Sequence, residues 1–365
     1  MRRTYGFIGL GLIGGSLARC IKKRFPDARI LAYARTAATL TQALDEGIID
    51  SALEDLHDPA LADCDMLFLC APVENNIRAL REIRSVISPD CLITDVGSVK
   101  TGIHKEARSL GLTSQFIGGH PMAGSEKSGF SASNDHLFEN AYYFITPEKD
   151  VPEEWIREYH DLVYSFLAIP LVITCEEHDM ITAAVRHLPH VIASALVNTV
   201  HMLDDSQEHM KMIAAGGFKD ITRIASSSPQ MWEQICVSNH ENISRVMDTF
   251  ISRLLDARKA MNQHNGAAIN QMFTRSREYR DSFSDVSGGT IKPLHRIYCD
   301  VIDEAGAIAT IATLLAVSQI SIRNIGIIHN REFEEGVLRI DFYDKDAAAD
   351  AARILRHHRY QVWEI

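Results

Sequence analysis

The sequence lacks an excess of positive charge, a paired set of cysteines and any long uninterrupted hydrophobic run. Lys and Arg number 37 against 48 Asp and Glu, which gives a formal net charge of -11. Nucleic acids and anionic membranes bind basic surfaces, so we expect neither as a partner. The seven cysteines form no CxxC pair. This pattern predicts reduced thiols and a cytoplasmic location rather than a disulfide framework.

The N-terminus superficially resembles an export signal, because Arg2 and Arg3 precede an apolar run over residues 7–17. Several glycines interrupt that run, and no small-x-small cleavage site follows it. No uninterrupted apolar stretch elsewhere approaches the roughly 20 residues that a membrane span requires. We therefore expect neither an export signal nor a membrane span.

The hydrophobic pattern divides the chain into three regions and a linker. Residues 1–172 alternate short apolar runs with helical stretches, which predicts an α/β domain with a parallel sheet covered on both faces. The strands predicted there are Tyr5–Leu10, Arg29–Tyr33, Met66–Ala71, Leu92–Val96, Phe116–Gly118 and Tyr142–Thr146. Residues 173–280 have helical periodicity throughout. A linker over 281–293, rich in Ser, Gly and Asp, leads to a β-α-β-β-α-β pattern over 294–365, the ferredoxin-like order.

A glycine-rich turn joins the first predicted strand to the first predicted helix. Gly9, Gly11 and Gly14 form the pattern GxGxxG, with Leu12 and Ile13 between the last two glycines. The first glycine permits a tight turn, the second lets backbone approach a pyrophosphate, and the third lets the helix pack on the strand. The helix N-terminus offers free N–H groups to the phosphates. These features predict a Rossmann-type dinucleotide-binding domain.

The end of the second strand bears on the choice of cofactor. An NAD site usually has Asp or Glu there for the ribose hydroxyls, whereas this chain has Ala34, followed by Arg35 and Thr36. Arg35 suits a 2′-phosphate, or is a solvated loop residue. We expect NAD, with NADP not excluded. Ala71 and Pro72 follow the next strand and are further cofactor candidates, because ligands bind outside the carboxyl ends of such strands.

Polar residues cluster in four later segments where a plain scaffold has no need of them. The first, Thr94–Lys100, ends one predicted strand, and Gly118–Glu126 ends the next. His187–His190 and Gly216–Ala225 lie in the helical region. Ser98 and His120 are expected outside the carboxyl ends of their strands, beside the dinucleotide.

At these segments the chain resembles the prephenate dehydrogenase family of tyrosine biosynthesis. The match includes GLGLIGGS, DVGSVK, GGHPMAGSE, EEHD with HLPH, and GGFKDITRIASSSPQMW, in the order of the family. It covers essentially the whole chain. The last region resembles an ACT domain, a small ligand-sensing unit. No chorismate mutase segment precedes the glycine turn, so we expect a monofunctional enzyme.

The resemblance implies oxidative decarboxylation of prephenate to 4-hydroxyphenylpyruvate, with hydride transfer to NAD. His120 matches the catalytic histidine of the family, and a neutral imidazole accepts a proton at pH 7. Ser98 matches the serine that orients this histidine and lies near the nicotinamide. The alternative for Ser98 is a helix N-cap.

Further positions match family residues around the substrate, namely His190, Glu126, Asp220, Arg223, Asp179 and Trp232. Arg223 matches the arginine that binds a substrate carboxylate, for which the guanidinium fork is suited. Its alternative is an ion pair with Asp220. Glu126 and Asp220 resemble acidic residues that pair with basic groups at the entrance. His190 is a substrate contact or a core histidine, and Trp232 is a family position or core.

Other functions remain open. Arogenate, which has an amine where prephenate has a keto group, presents the same ring to these motifs. The intact set of His120, Ser98 and Arg223 argues against a catalytically idle amino-acid sensor. A generic 3-hydroxyacid dehydrogenase would use a lysine-centred site rather than the GGHPMAGSE segment. His187 and His190 are three residues apart, but a third ligand is missing, so no metal site is expected.

The C-terminal region suggests a regulatory site. The first strand of this region runs into Val301, Asp303, Ala305 and Gly306, where an ACT domain has its strand-to-helix turn. Gly306 would let a carboxylate approach the helix N-terminus, and Asn324 lies in a nearby predicted strand. We expect L-tyrosine to bind here as an allosteric inhibitor, or else a unit that only dimerises. The resemblance also implies a homodimer formed through the helical region.

Overall fold

The structure is a computed structural model that describes residues 3–124, 127–283, 295–301, 306–328 and 336–364. The chain forms two compact units, Met1–Gly289 and Thr290–Ile365. All seven cysteines lie in the described residues and have free thiols, and five of them are buried. Buried cysteines of this kind pack as small apolar side chains.

The first unit contains one large sheet. Its strands are β1 Thr4–Ile8, β2 Arg29–Tyr33, β3 Ser51–Ala52, β4 Met66–Leu69, β5 Leu92–Asp95, β6 Phe116–Pro121, β7 Tyr142–Pro147 and β8 Ile169–Val172. They lie in the order β3-β2-β1-β4-β5-β6-β7-β8. The strand order places β1, with the glycine turn at its end, between β2 and β4.

Most neighbouring strands are parallel, as predicted, but β6 and β7 are antiparallel. Because β7 and β8 are parallel to each other, both run against the other strands. A parallel connection needs a crossover of about a dozen residues or more, usually with a helix. In the described part of the connection between β6 and β7, the only helical segment is the 3₁₀ turn Phe130–Ala132. The expectation of a wholly parallel sheet is therefore wrong at β7 and β8.

Helices cover both faces of this sheet. They are α1 Leu12–Arg24, α2 Ala37–Asp45, α3 Val73–Ile83, α4 Thr101–Ser109 and α5 Glu153–Ser165. Successive strand residues point to opposite faces. Phe7 and Phe68 stack at 4.9 Å in one core, whereas Ile8 and Leu67 belong to the other. The predicted Rossmann-type architecture is confirmed.

Residues after β8 are helical, as predicted. The elements are α6 Cys175–Thr182, a π-helical turn Ala183–His187, α7 Leu188–Leu203, α8 His209–Ile213, α9 Gly217–Thr222, a 3₁₀ turn Arg223–Ser226, α10 Pro229–Ser238, α11 His240–Asn262 and α12 Gly266–Asp281. By length and composition alone, the continuous helix Cys175–Leu203 could cross a membrane. The sequence analysis did not predict a candidate membrane span here, because polar residues interrupt the apolar run of this helix.

The second unit contains β9 His295–Val301, α13 Ala307–Val317, β10 Ile322–Ile328, β11 Gly336–Phe342, α14 Lys345–His357 and β12 Val362–Glu364. Its sheet has the order β10-β11-β9-β12 and is antiparallel. Both helices pack on one face through a core that includes Ile297, Ile311 and Leu355. This is the predicted ferredoxin-like arrangement, which fits an ACT domain.

Candidate active site

The glycine turn has the geometry that a dinucleotide needs. Gly9 has φ +101, and a Cβ there would lie 3.0 Å from the backbone of Cys70. A Cβ on Gly14 would lie 2.3 Å from the Gly9 carbonyl oxygen. A Cβ on Gly11, in contrast, would meet no atom of the described residues within 4 Å. The first and third glycines are thus fixed by packing, and the second faces the open space that a pyrophosphate would fill.

The other predicted cofactor residues surround this turn. Leu12 and Ile13 are the first two residues of α1. The free N–H groups of this helix N-terminus are therefore next to the open space beside Gly11. Ala71 follows β4, and its N–H donates to Asn76 Oδ1 at 2.9 Å, which fixes the loop before Pro72. The described residues therefore fit NAD.

The loop after β2 also lies at this edge of the sheet. Ala34 is half-buried against the core, while Arg35 and Thr36 are exposed before α2. The loop thus places no carboxylate at these three positions, as the sequence indicated.

His120 lies inside β6 rather than after it. The predicted strand Phe116–Gly118 was too short, because β7 pairs with β6 as far as the Pro121–Tyr143 register. His120 is opposite Phe144 and only 2% exposed. Its strand is parallel to β5, so both strands have their carboxyl ends at the same edge as the glycine turn.

A chain of hydrogen bonds runs from His120 to a buried carboxylate. His120 Nδ1 lies 2.8 Å from His178 Nε2, and His178 Nδ1 lies 2.8 Å from Asp179 Oδ1. Burial opposes ionisation of Asp179, but hydrogen bonds from His178 and Thr101 hold its pKa below the usual value. An ionised Asp179 accepts the His178 Nδ1 hydrogen, which leaves His178 Nε2 to accept from His120 Nδ1. His120 Nε2 is then the unprotonated atom.

Asp179 has a second role at the start of α4. Its two carboxylate oxygens accept the backbone N–H groups of Lys100 and Thr101, each at 2.8 Å. Lys100, not Ser98, occupies the N-cap position. The alternative role of Ser98 as an N-cap is therefore wrong, and Ser98 is a half-buried residue of the loop between β5 and α4.

The charges around His120 favour its neutral form. Burial lowers the pKa of His120 well below its usual range, and the positive charges of Arg186 and Lys100 lower it further. Burial also lowers the pKa of His178, although Asp179 opposes that shift. Both imidazoles are thus neutral at physiological pH, as a proton acceptor must be.

A buried ion pair fixes the strand just before His120. Lys100 Nζ pairs with the Asp95 carboxylate, and neither side chain is more than 1% exposed. The ammonium also donates to the Gly119 carbonyl at 2.7 Å, and Asp95 Oδ1 accepts from Gly119 N–H at 3.3 Å. The pair therefore ties the end of β5 to β6. Sequence reasoning missed the roles of Asp95, Lys100 and His178, although each lies in a motif that it quoted.

The helical region contributes a second group of side chains. His190 stacks on Trp232 with ring centroids 3.8 Å apart and hydrogen-bonds the backbone of Ile224. Burial lowers the pKa of His190, as do the charges of Arg186 and Arg223. The structure thus brings His190, Arg223 and Trp232 together. Asp220 is exposed on α9, and Glu126 lies outside the described residues.

The proposed regulatory residues fall in the second unit. Gly306 has φ +97 and occupies the N-cap position of α13. Asn324 is exposed in β10, where the pairing with β11 shifts register. Val301 ends β9, and Asp303 and Ala305 lie outside the described residues.

A dinucleotide-binding sheet, a buried neutral histidine at its carboxyl edge and a helical region with basic side chains define a nicotinamide-dependent dehydrogenase. Sequence models of two prephenate dehydrogenase domains match the chain, the nucleotide-binding domain at residues 17–168 and the dimerization domain at residues 174–275. The chain belongs to the prephenate dehydrogenase family, which confirms the family, the enzyme class and the NAD cofactor predicted from the sequence.

Individual relatives agree with this assignment. Prephenate dehydrogenase of Bacillus subtilis is 37% identical over 95% of this chain and 94% of its own length. Cyclohexadienyl dehydrogenase of Zymomonas mobilis is 31% identical over 75% of this chain and 93% of its own length. The crystal structure of Aquifex aeolicus prephenate dehydrogenase with hydroxyphenyl propionate and NAD+ has a TM-score of 0.73 at 28% identity. The match covers 78% of this chain and 99% of that one.

Proposed function

We propose that this protein oxidises and decarboxylates prephenate to 4-hydroxyphenylpyruvate in tyrosine biosynthesis. The observation that carries the proposal is the proton order along Asp179, His178 and His120, which leaves His120 Nε2 as a base in the site. NAD, when bound, supplies the hydride acceptor. The similarity to two prephenate dehydrogenases along most of the chain supports the same reaction.

In the proposed reaction, the residues of the chain accept and return one proton, that of the substrate hydroxyl. As the hydroxyl carbon of the substrate loses hydride, the hydroxyl oxygen gives its proton to His120 Nε2, and the C–O bond becomes a carbonyl. Loss of CO2 then leaves its electron pair in the ring, which becomes aromatic with a phenolate oxygen. His120 returns the proton to that oxygen. Substrate and products therefore balance without net proton release.

The remaining residues have positioning and binding roles in this proposal. Ser98, in the loop after β5, orients the substrate hydroxyl and the imidazole from the carboxyl edge of the sheet. Arg223 binds a substrate carboxylate, and its closeness to His190 supports a shared site. Asp220 and Glu126 pair with basic groups at the entrance.

Initial rates with prephenate and arogenate, each with NAD and NADP, test the proposal. We expect the highest kcat/KM with prephenate and NAD. A higher value with arogenate would assign the protein to the alternative substrate, and a higher value with NADP would assign Arg35 to the 2′-phosphate. No turnover of either substrate would support the idle sensor.

We also propose that the enzyme acts as a cytoplasmic homodimer. The match of residues 174–275 to a dimerization domain supports the dimer, as do large exposed apolar side chains on α11 and α12, among them Leu254, Leu255 and Phe273. The seven free thiols support a reducing compartment.

L-Tyrosine is proposed as an inhibitor that binds the second unit. The observation that favours this site is Gly306, whose positive φ opens the N-terminus of α13, and a Cβ placed there would meet no described atom within 4 Å. A carboxylate can accept N–H groups there.

A further inference from the structure

Arg186 is a cationic side chain in the site to which the sequence assigned no role. It lies in the π-helical turn Ala183–His187, and one guanidinium nitrogen contacts Met122 Sδ at 3.5 Å. Among the described residues, no carboxylate pairs with it. Burial alone lowers its pKa.

An arginine in this state is costly to the fold. Arg186 is half-buried, and partly removing a guanidinium from water without a carboxylate costs free energy. Arginine is effectively always ionised, so it does not escape the cost by losing its proton. The charge is therefore retained for something that binds to it.

Two further donors in the same region have no acceptor. His187 is fully buried, and Asn239 Nδ2 donates to its Nδ1 at 3.1 Å. The remaining hydrogen of the neutral His187 ring is then on Nε2. Among the described residues, neither His187 Nε2 nor the buried Trp232 Nε1 has a partner. Buried polar atoms of this kind normally have one.

The residues that carry these donors lie close together. The His187 and Trp232 rings lie 6.0 Å apart, and His190 stacks on the other side of Trp232. The charge of Arg186 acts on His120, His187 and His190. A water molecule could satisfy a single N–H, but it cannot balance the guanidinium charge. An anion bound at Arg186 would balance that charge, and its other oxygens would suit N–H donors nearby.

The π-helical turn explains how the side chains reach this region. Leu188 N–H bonds to Ala183 O, which places one extra residue in the turn. Such a turn rotates the helix that follows it, and π-bulges occur frequently at functional sites. The turn separates α6, with His178 and Asp179, from α7, with His190.

We infer that Arg186 binds one carboxylate of the substrate, while Arg223 binds the other. This inference rests on the proposed function, because prephenate carries two carboxylates and a keto group but no cation. A second arginine beside the substrate disfavours the ammonium of arogenate, because like charges repel. Arg186 is thus a specificity-determining residue as well as a binding residue.

The test compares Arg186→Gln and Arg186→Lys with Arg157→Gln, which removes an exposed arginine from α5. Losing a hydrogen bond to a charged group should raise KM for prephenate by about 10- to 150-fold in Arg186→Gln. Arg186→Lys should fall between this variant and wild type, because lysine keeps the charge without the fork. KM for NAD should stay within about twofold of wild type in the Arg186 variants. In Arg157→Gln, KM for prephenate and KM for NAD should both stay within about twofold of wild type.

Thermal unfolding without ligand separates binding from a structural role. Removing an uncompensated charge should leave the melting temperature of Arg186→Gln unchanged or higher. A lower melting temperature with unchanged KM for prephenate would overturn the inference and make Arg186 structural. Failure of the wild-type enzyme to turn over prephenate would instead overturn the proposed function.

Inhibition by 4-hydroxyphenylpropionate, which has only the side-chain carboxylate, identifies the group that Arg186 holds. If Arg186 binds the side-chain carboxylate, Arg186→Gln should raise both the inhibition constant of 4-hydroxyphenylpropionate and KM for prephenate. If Arg186 binds the ring carboxylate, only KM should rise. An unchanged KM and an unchanged inhibition constant would together exclude Arg186 from the substrate site.

Discussion

The protonation state of His120 is set by its burial and by its neighbours. The imidazole is buried, and its Nδ1 is engaged by His178. Asp179, at the far end of the chain of hydrogen bonds, decides which nitrogen of each ring carries hydrogen. A single carboxylate thus fixes the tautomer of a histidine two side chains away, as in other sites where an acidic group orients a catalytic imidazole.

Replacing His120 with Asn tests whether this residue accepts the proton, as proposed. We expect kcat to fall by about 10²- to 10⁴-fold, the usual contribution of a positioned acid–base group. The affinity for NAD should change little, because the glycine turn is at a different strand. Steady-state kinetics and NAD titration measure both, and a variant with more than half of the wild-type kcat would remove His120 from the mechanism.

The pH dependence of kcat/KM tests the environment of the same residue. Burial and nearby positive charges lower the pKa of His120, so the basic form persists as the pH falls. Activity should therefore stay high below pH 6.5, about the ordinary histidine pKa, and decline only at lower pH. An acidic limb centred at or above pH 6.5, with the enzyme still folded by circular dichroism, would contradict the proposed environment.

At the scale of elements, Asp179 joins α6 to α4 and to β6. The same carboxylate caps α4 and orders the hydrogen bonds to His120. The helix α6, which bears His178 and Asp179, is thereby coupled to the strand that bears His120. The Asp95–Lys100 pair adds a second link, between β5 and β6.

Asp179→Asn should affect stability and catalysis together. Weakening the cap should cost about 0.5–2 kcal/mol in the free energy of unfolding. An amide in place of the carboxylate no longer requires His178 to donate, so kcat should fall at least about tenfold. Denaturant titration and steady-state kinetics measure the two effects. A destabilised variant with wild-type kcat would show that Asp179 acts only as a cap.

At the scale of the whole molecule, the chain combines a catalytic unit with a small ferredoxin-like unit. All residues proposed to bind substrate and NAD belong to the first unit, so the proposed chemistry at His120 does not draw on the second unit. The second unit, with the open N-terminus of α13, is suited to bind a regulatory ligand such as the end product L-tyrosine. Coupling free energies of this kind are typically about 1–3 kcal/mol.

Asn324→Ala tests tyrosine sensing in the full chain, with Ser321→Ala as a control on the segment just before the same strand. A coupling free energy of about 1–3 kcal/mol corresponds to a change of about 5- to 150-fold in affinity. We expect Asn324→Ala to raise the inhibition constant for tyrosine at least about fivefold, with kcat and KM unchanged. Equal inhibition of both variants and wild type, competitive with prephenate, would place tyrosine at the Arg223 site instead.

Local sequence was enough to predict the order of elements, the glycine turn and the family motifs. Gly9, Gly11 and Gly14 are local features, because a tight turn and a close backbone approach need glycine wherever the chain runs next. The β-α-β-β-α-β pattern of the second unit is equally local, since apolar periodicity follows the neighbours along the chain. Motif residues such as His120 and Arg223 could be named because their segments resemble those of the prephenate dehydrogenase family.

The way these parts meet depends on contacts that form only in the folded chain. β6 extends through His120 because β7, more than 20 residues later, pairs with it in an antiparallel register. Asp179 caps a helix that begins 78 residues earlier in the chain, so no local pattern could identify Asp179, rather than Ser98, as the cap. That no carboxylate of the described residues pairs with Arg186 is likewise visible only once its neighbours are in place. Burial and hydrogen-bond partners depend on residues distant in sequence, and they determine the protonation and charge on which the proposed chemistry rests.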